Sequence, residues 1–233
     1  MATISNNKMT TQQICRICKG TDLPEIINLG PQVITSRWPE YGDFSTPRIP
    51  IQIGLCINCG LVQLLGTTAS SELYEHEYGY RSGISNTMRT HLLEYKNEIC
   101  ALLDKYNILH QCDYILDIGS NDSTMLQYYG DAYKRIGCDP TGKQFAQYYG
   151  NVELIADYFT ADTFRNKYGP DTKCKLVSSI SMFYDLPDPV QFAKDINTIL
   201  DENGIWTCEQ SYLLTMLKRN SIDTICHEHL EYY

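Results

Sequence analysis

Apolar residues recur at intervals of three and four through Met88, Leu92, Tyr95, Ile99, Leu102 and Tyr106, which predicts an amphipathic helix over residues 84–106. Beyond it the pattern becomes short apolar runs alternating with helical stretches. Tyr114 to Ile118 reads as a buried strand that breaks at Gly119. Met125, Leu126, Tyr128 and Tyr129 give a helix stopped by Gly130. Tyr133 to Cys138 is a second strand, Thr141 to Tyr149 a capped helix ended by Gly150, and Val152 to Ile155 a third strand. Leu176 to Ser178 with its neighbours makes a fourth. Asp188-Pro189 opens a helix with Val190, Ala193, Ile196 and Leu200 on one face, and Asn203-Gly204 turns into a fifth strand, Ile205 to Cys208. Strands alternating with helices at this spacing predict a mostly parallel sheet with right-handed crossovers.

The amino-terminal part follows a different pattern. Residues 1–13 read as a frayed tail. Pro24, Pro31, Pro39, Pro47 and Pro50 exclude a long helix and favour short strands and turns. Gly66-Thr67-Thr68 marks the exit from this segment, and Ser70-Ser71 caps a short helix entering Leu73 and Tyr74. The stretch from Tyr74 to Gly83 gathers aromatic, acidic and cationic groups between glycines. It suits either the wall of a polar ligand site or an aromatic linker between domains.

Composition adds bounds. Of 233 residues, 43% are apolar and 20% charged, as in an ordinary globular protein. A net charge of -9 argues against a nucleic-acid binder, which needs a basic footprint. No run approaches the roughly 20 apolar residues of a membrane helix, and the polar first dozen residues lack a signal-type apolar core, so the expectation is a cytoplasmic protein. Four of the ten cysteines form two C-x-x-C pairs, Cys15/Cys18 and Cys56/Cys59, each followed closely by a glycine. Two such knuckles make a closed four-thiolate site for a structural zinc ion that holds a small β-rich ribbon together. Cys100, Cys112, Cys138, Cys174, Cys208 and Cys226 read mostly as inert core residues.

The strand ends carry the other chemistry. Asp117 closes the first strand before the glycine turn, and Asp139 follows the second strand 22 residues later. The G-x-G-x-x-G phosphate cradle of a dinucleotide site is missing, because Gly119 is followed by Ser120, Asn121, Asp122 and Ser123. Acids without a phosphate cradle suit a cationic nucleoside such as S-adenosylmethionine, although an ordinary turn with a helix cap fits the same residues. In His227-Glu228-His229 the residues alone leave open a metal site or a capped helix entrance. Two histidines at i, i+2 do not share a helical face, so a metal there needs a strand or turn.

With these parts in place the chain resembles the S-adenosylmethionine-dependent C-methyltransferases of nucleotide-sugar (deoxysugar) biosynthesis. The resemblance is carried by the two cysteine knuckles, Tyr78-Gly79-Tyr80-Arg81-Ser82-Gly83, Leu116-Asp117-Ile118-Gly119-Ser120-Asn121-Asp122, Gly137-Cys138-Asp139-Pro140, and the terminal run from Ser221 to Tyr233. It implies a Rossmann-like class I methyltransferase domain of α/β class preceded by a zinc ribbon. The boundaries that follow are a tail at 1–13, a ribbon at 14–66, a linker and long helix lining the active site at 67–110, and a cofactor domain at 111–233. By the same resemblance Asp117, Gly119, Asn121 and Asp122 surround the methionine end of the cofactor, Asp139 holds its ribose, and Asp157 with Tyr158 flanks adenine. His229 would be the general base, assisted by Glu228, with Tyr78 and Tyr80 lining the sugar pocket. The implied reaction is C-methylation of a keto-deoxy nucleotide sugar through an enolate; methylation of another small molecule, or an inactive or partner-dependent fragment, are the alternatives.

The sequence departs from the family at three places. Ser123 stands where many relatives have a second glycine, and Asp185 where relatives carry a histidine. The chain also stops at Tyr233, directly after the terminal motif. Five strands of an expected seven predict an incomplete sheet, so that either a separate chain supplies the closing carboxyl-terminal domain or the sequence is a fragment.

Overall fold

The computed structural model describes residues 9–35, 40–42, 45–74 and 78–233. Residues 1–8 of the expected tail and Pro39 lie outside the described residues. The chain divides into two compact units, one of residues 1–79, 183–190 and 210–233, the other of residues 80–182 and 191–209. This division differs from the boundaries read along the sequence. The stretches at 183–190 and 210–233 fold with the ribbon and not with the cofactor sheet.

In the ribbon unit the strands run β1 (Met9–Thr11), β2 (Glu25–Val33), β3 (Arg48–Leu55), β4 (Val62–Leu64) and β5 (Gly66–Thr68), followed by the short helix α1 (Ser70–Tyr74). Met9 to Thr11, expected to belong to the frayed tail, instead form β1, which pairs antiparallel with β5. Polar Thr10 and Thr11 carry no apolar signal; backbone pairing with β5, and the packing of Met9 against Ile34, Ile49 and Leu73, bring them in. Alternating burial of Ile49, Ile51 and Ile53 along β3 gives the inner face of the unit.

The second unit begins with helix α2 (Asn86–Lys105), capped where Ser85 Oγ accepts from the Met88 N–H. Its buried stripe is Leu92, Ile99 and Leu103, with Met88 and Tyr95 packed against the same core. Leu102 and Tyr106, expected on that stripe, are exposed, because the 3.6-residue repeat has rotated past them by the last turn. The unit then runs β6 (Tyr114–Ile118), α3 (Thr124–Gln127), β7 (Lys134–Cys138), a 3-10 turn (Gly142–Tyr148), β8 (Glu153–Ile155), α4 (Ala161–Tyr168), β9 (Cys174–Ile180), α5 (Pro189–Ile199) and β10 (Leu200–Glu209). The five strands form one parallel sheet in the order β10-β9-β6-β7-β8. The strand order reverses between β6 and β9, and the crevice at the carboxyl ends beside such a switch point is where ligands bind in doubly wound sheets. Asp117 on β6 lies beside Ser178 of β9 on one side and Gly137 of β7 on the other.

The chain returns to the ribbon unit through α6 (Leu213–Arg219) and β11 (Glu231–Tyr232). β11 adds to β4, giving a four-stranded antiparallel sheet in the order β11-β4-β3-β2. Leu230 and Tyr232 join Ile51, Ile53, Leu64 and Met216 in one buried cluster. This burial fixes the terminal run to the ribbon. Of the six dispersed cysteines only Cys138 and Cys174 are buried; Cys112 and Cys208 are exposed, and Cys100 and Cys226 half-buried.

Candidate functional site

The loop after β6 is held open by three left-handed residues, Gly119 (φ +74), Asn121 (φ +50) and Ser123 (φ +61). A Cβ on Gly119 would meet Met182 Cγ at 2.9 Å, so the backbone passes closer to its neighbour than another residue allows. Ser123, where the resemblance leads one to expect a second glycine, adopts a left-handed backbone, and its hydroxyl is tied by donation to the Tyr148 carbonyl at 3.2 Å. Asp117 is buried and accepts from Ser178 Oγ at 2.6 Å. Burial, offset by that hydrogen bond and reinforced by nearby Asp139, pushes its carboxyl up to about 7.

Asp139, directly after β7, joins the two strand ends. Its Oδ2 accepts from the Asn121 N–H at 2.8 Å, and its Oδ1 from the Thr141 N–H at 2.7 Å and hydroxyl at 2.6 Å. Thr141, expected to cap a helix, spends its hydroxyl here, and the segment it precedes is a 3-10 turn. The Tyr149 hydroxyl donates to the Asn121 carbonyl and accepts from Ser120 Oγ, both at 2.9 Å. Asp157 lies just beyond β8, with Oδ1 accepting from the Tyr158 N–H at 2.7 Å, and the Tyr158 ring is exposed.

The side chains of Asn121 and Asp122 have local work. Asn121 accepts from the Ser82 N–H at 2.9 Å and donates to the Tyr80 carbonyl at 3.1 Å. Asp122 accepts from the Gly83 N–H at 2.9 Å and lies 3.5 Å from Arg81, whose guanidinium covers the Tyr148 ring at 4.2 Å. A Cβ on Gly83 would sit 2.6 Å from Asp122 Oδ2, which explains the glycine there. Tyr80 is exposed in this unit, whereas Tyr78 belongs to the ribbon unit, its ring 5.9 Å from that of Tyr74. Residues 75–77 of the aromatic stretch lie outside the described residues.

In the ribbon the thiols of Cys15, Cys18, Cys56 and Cys59 all lie within 4.8 Å of one another. Cys15 and Cys59 sulfurs are 3.6 Å apart and Cys18 and Cys56 sulfurs 3.5 Å. Zn–S bonds of about 2.3 Å give tetrahedral edges of about 3.8 Å, so the four fit a zinc ion. Asn58 Nδ2 donates to Cys18 Sγ at 3.2 Å and, with the Gly20 backbone, draws that thiol down to about 6. Arg16, inside the first knuckle and 1% exposed, donates to Thr67 Oγ1 at 2.9 Å and lies 3.4 Å from the buried Glu231 carboxylate of β11.

The terminal run packs within the same unit. His227 is buried and donates from Nε2 to the Ile49 carbonyl at 2.9 Å, a tether between the run and β3. His229 Nδ1 donates to the Thr224 carbonyl at 2.6 Å, and its ring lies 4.3 Å from that of Tyr184. Burial lowers the His229 imidazole, against the help of that hydrogen bond, and pushes the Glu228 carboxyl up to about 7. The Leu230 N–H donates to the Tyr184 carbonyl at 2.7 Å, which places the next residue, Asp185, near the run. Burial, and then the charges of Glu228 and Glu231, raise the Asp185 carboxyl well above the usual range.

Residues 15–74 match the Methyltransf_13 family model, described as a "Putative zinc binding domain", a stretch that contains all four clustered cysteines. The match supports zinc binding, and the four thiols are the cluster in this stretch that fits the ion. The chain is similar to the C-methyltransferase NovU of Streptomyces niveus, with 25% identity over 224 residues, 94% of this chain and 52% of the relative. It thus spans about half the length of that curated relative. Among solved structures it is similar to the plantazolicin methyltransferase BpumL in complex with a pentazolic analogue and SAH, at 14% identity and TM-score 0.47 over 61% of this chain and 56% of that one. PH0226 protein from Pyrococcus horikoshii OT3 is similar at 18% identity and TM-score 0.45, over 60% and 62% of the two chains. Both structural likenesses are too loose to bear on chemistry.

Several residues that shape these sites escape sequence reasoning. Ser178 becomes the partner of Asp117 only through sheet register, and Tyr149 reaches Ser120 only when the chain folds back. Arg16 carried a signal that was available: a cation inside a cysteine knuckle, with an acid in a strand-like run elsewhere.

Proposed function

We propose that this chain is an S-adenosylmethionine-dependent C-methyltransferase acting on a keto-deoxy nucleotide sugar. The single observation that carries the reading is the paired strand ends of β6 and β7, where the Asn121 N–H closes on Asp139 beside a glycine turn. A carboxylate offers about four acceptor positions, and Asp139 has three occupied by Asn121 and Thr141, which leaves one for a ribose hydroxyl. Asp117, near the end of β6, offers a carboxyl to the cationic methionine end, with Gly119 making the left-handed turn that follows the strand. Asp157 and Tyr158 follow β8 and are the residues proposed for adenine. The cofactor, when bound, supplies an activated methyl group on a sulfonium.

His229 is the proposed base. Donation from Nδ1 to Thr224 fixes the tautomer and leaves the Nε2 lone pair to take a proton from the carbon beside the ketone. Glu228 assists from the adjacent position, and Tyr78 and Tyr80 are proposed sugar contacts. The C-methyltransferase name of the relative supports carbon as the acceptor. Calorimetric titration with S-adenosylmethionine tests the cofactor site. Deuterium exchange at the carbon beside the ketone of a keto sugar nucleotide tests the base: His229→Ala should abolish it, and exchange at the parent rate would remove His229 from that role.

A further inference from the structure

The terminal run holds a second cluster of metal-binding side chains, separate from the four cysteines. Cys226, Glu228 and His229 each place one ligand atom within 4.8 Å of the other two. Thiolate, carboxylate and imidazole at about 2.0–2.3 Å from one ion stand roughly 3.3–3.8 Å apart, within reach of small side-chain rotations. The run is in turn and bend conformation around Cys226 to His229, with no helix there, which removes the objection that residues two apart cannot face the same point, as on a helix. His229 has the partner that metal-ligating histidines usually have: its Nδ1 is committed to a backbone carbonyl at 2.6 Å, so its Nε2 lone pair is oriented for a ligand. The Tyr184 ring at 4.3 Å restrains the imidazole plane.

A further oxygen donor lies close enough to Glu228 and Cys226 for their charges to be felt, though outside the group of three. Asp185 follows Tyr184, whose carbonyl is bonded to the Leu230 N–H at 2.7 Å. Its Oδ2 accepts from the Tyr74 hydroxyl at 3.4 Å, while its Oδ1 is buried and lacks a hydrogen-bond partner among the described residues. An orphaned carboxylate oxygen near a thiol and a second carboxyl is a group that a divalent cation satisfies.

We propose that Cys226, Glu228 and His229 form a second metal site, open at its fourth position with Asp185 alongside, for a divalent transition ion of the softness of Zn2+. The ion takes the same Nε2 lone pair that proton abstraction uses. Resting on the proposed role of His229, occupancy of the site therefore switches methyl transfer off, and the site is inhibitory.

The test uses the full chain with its four-cysteine site filled by one equivalent of zinc, then titrated with Co2+. Equilibrium dialysis gives stoichiometry, and the thiolate-to-cobalt absorption band reports the sulfur ligand. A second equivalent with a thiolate band is expected, the band vanishing in Cys226→Ser and the affinity falling about tenfold or more in both Cys226→Ser and His229→Gln. No second equivalent in the parent chain, or a band that persists in Cys226→Ser, overturns the site. S-adenosylmethionine titration of each variant checks that it remains folded. Because cobalt binding is read without turnover, a chain that bound the second ion yet showed no deuterium exchange even with that second site empty would keep the metal site and lose the base assignment.

Discussion

The Asn121 backbone N–H donates to Asp139 Oδ2 at 2.8 Å, so the loop after the first strand of the parallel sheet is fastened to the acid after the second. Charge-assisted hydrogen bonds of this kind are short and worth about 1.5–3 kcal/mol each. Asp139→Ala removes this bond and the two from Thr141, and should destabilise the chain by about 3 kcal/mol while weakening S-adenosylmethionine binding tenfold or more. Urea unfolding and calorimetry read the two effects. Unchanged cofactor affinity in a folded variant would remove Asp139 from the site.

Asp117 sets a pH dependence. Its carboxyl is raised from 3.8 to about 7 in the folded chain, so the folded state holds the proton more tightly than the unfolded state. Ligand-free stability from this group is full below pH 3.8 and declines as pH rises through about 7. A cationic ligand favours the ionised carboxyl, so S-adenosylmethionine should bind more tightly as pH rises through about 7, releasing protons below it. Calorimetry in buffers of different ionisation enthalpy measures the release, and Asp117→Asn should flatten the dependence.

Gly119→Ala should be costly for two separable reasons. A left-handed residue other than glycine costs about 1–2 kcal/mol, and the new Cβ would stand 2.9 Å from Met182 Cγ. The double variant Gly119→Ala, Met182→Ala should relieve the clash and keep the backbone cost. Denaturant midpoints of the set decide between them. Equal stability of the single and double variants would mean the contact with Met182 carries no energy.

Arg16 and Glu231 tie the zinc knuckle to the terminal run at 3.4 Å, both side chains almost wholly buried. Breaking a buried pair from one side costs about 3–5 kcal/mol, whereas replacing both partners with apolar groups restores much of it. Arg16→Met should therefore destabilise strongly, and Arg16→Met with Glu231→Leu should recover a large share. Simple additivity in the double-mutant cycle would contradict the coupling.

Zinc removal tests the same unit. Structural zinc contributes about 10 kcal/mol or more to small modules, more than the ribbon's own core can replace. In the chelated full chain, amides of β3, β4 and β11 should lose protection from hydrogen exchange while those of β6, β7 and β9 keep it. Retained protection in the ribbon would show that its core stands without metal.

The sequence alone determined the local elements of the parallel sheet. Apolar runs bounded by glycine fix Tyr114–Ile118 as a strand, and the alternation with helices dictates a parallel doubly wound arrangement, because burial on both faces needs continuous apolar residues. The two knuckles likewise declare their ion, since thiolate spacing is a local property. Tertiary structure alone decided which sheet takes the terminal run. Glu231–Tyr232 is two residues long, and its place beside β4 follows from burying Leu230 and Tyr232 against Ile51, Ile53 and Leu64. The same holds for Ser178 against Asp117, for Arg16 against Glu231, and for Cys226 beside His229, where residues far apart in the chain or facing an unpredictable side meet only once register and packing are set. Periodicity records which face of an element is apolar; it carries no record of the partner that covers it.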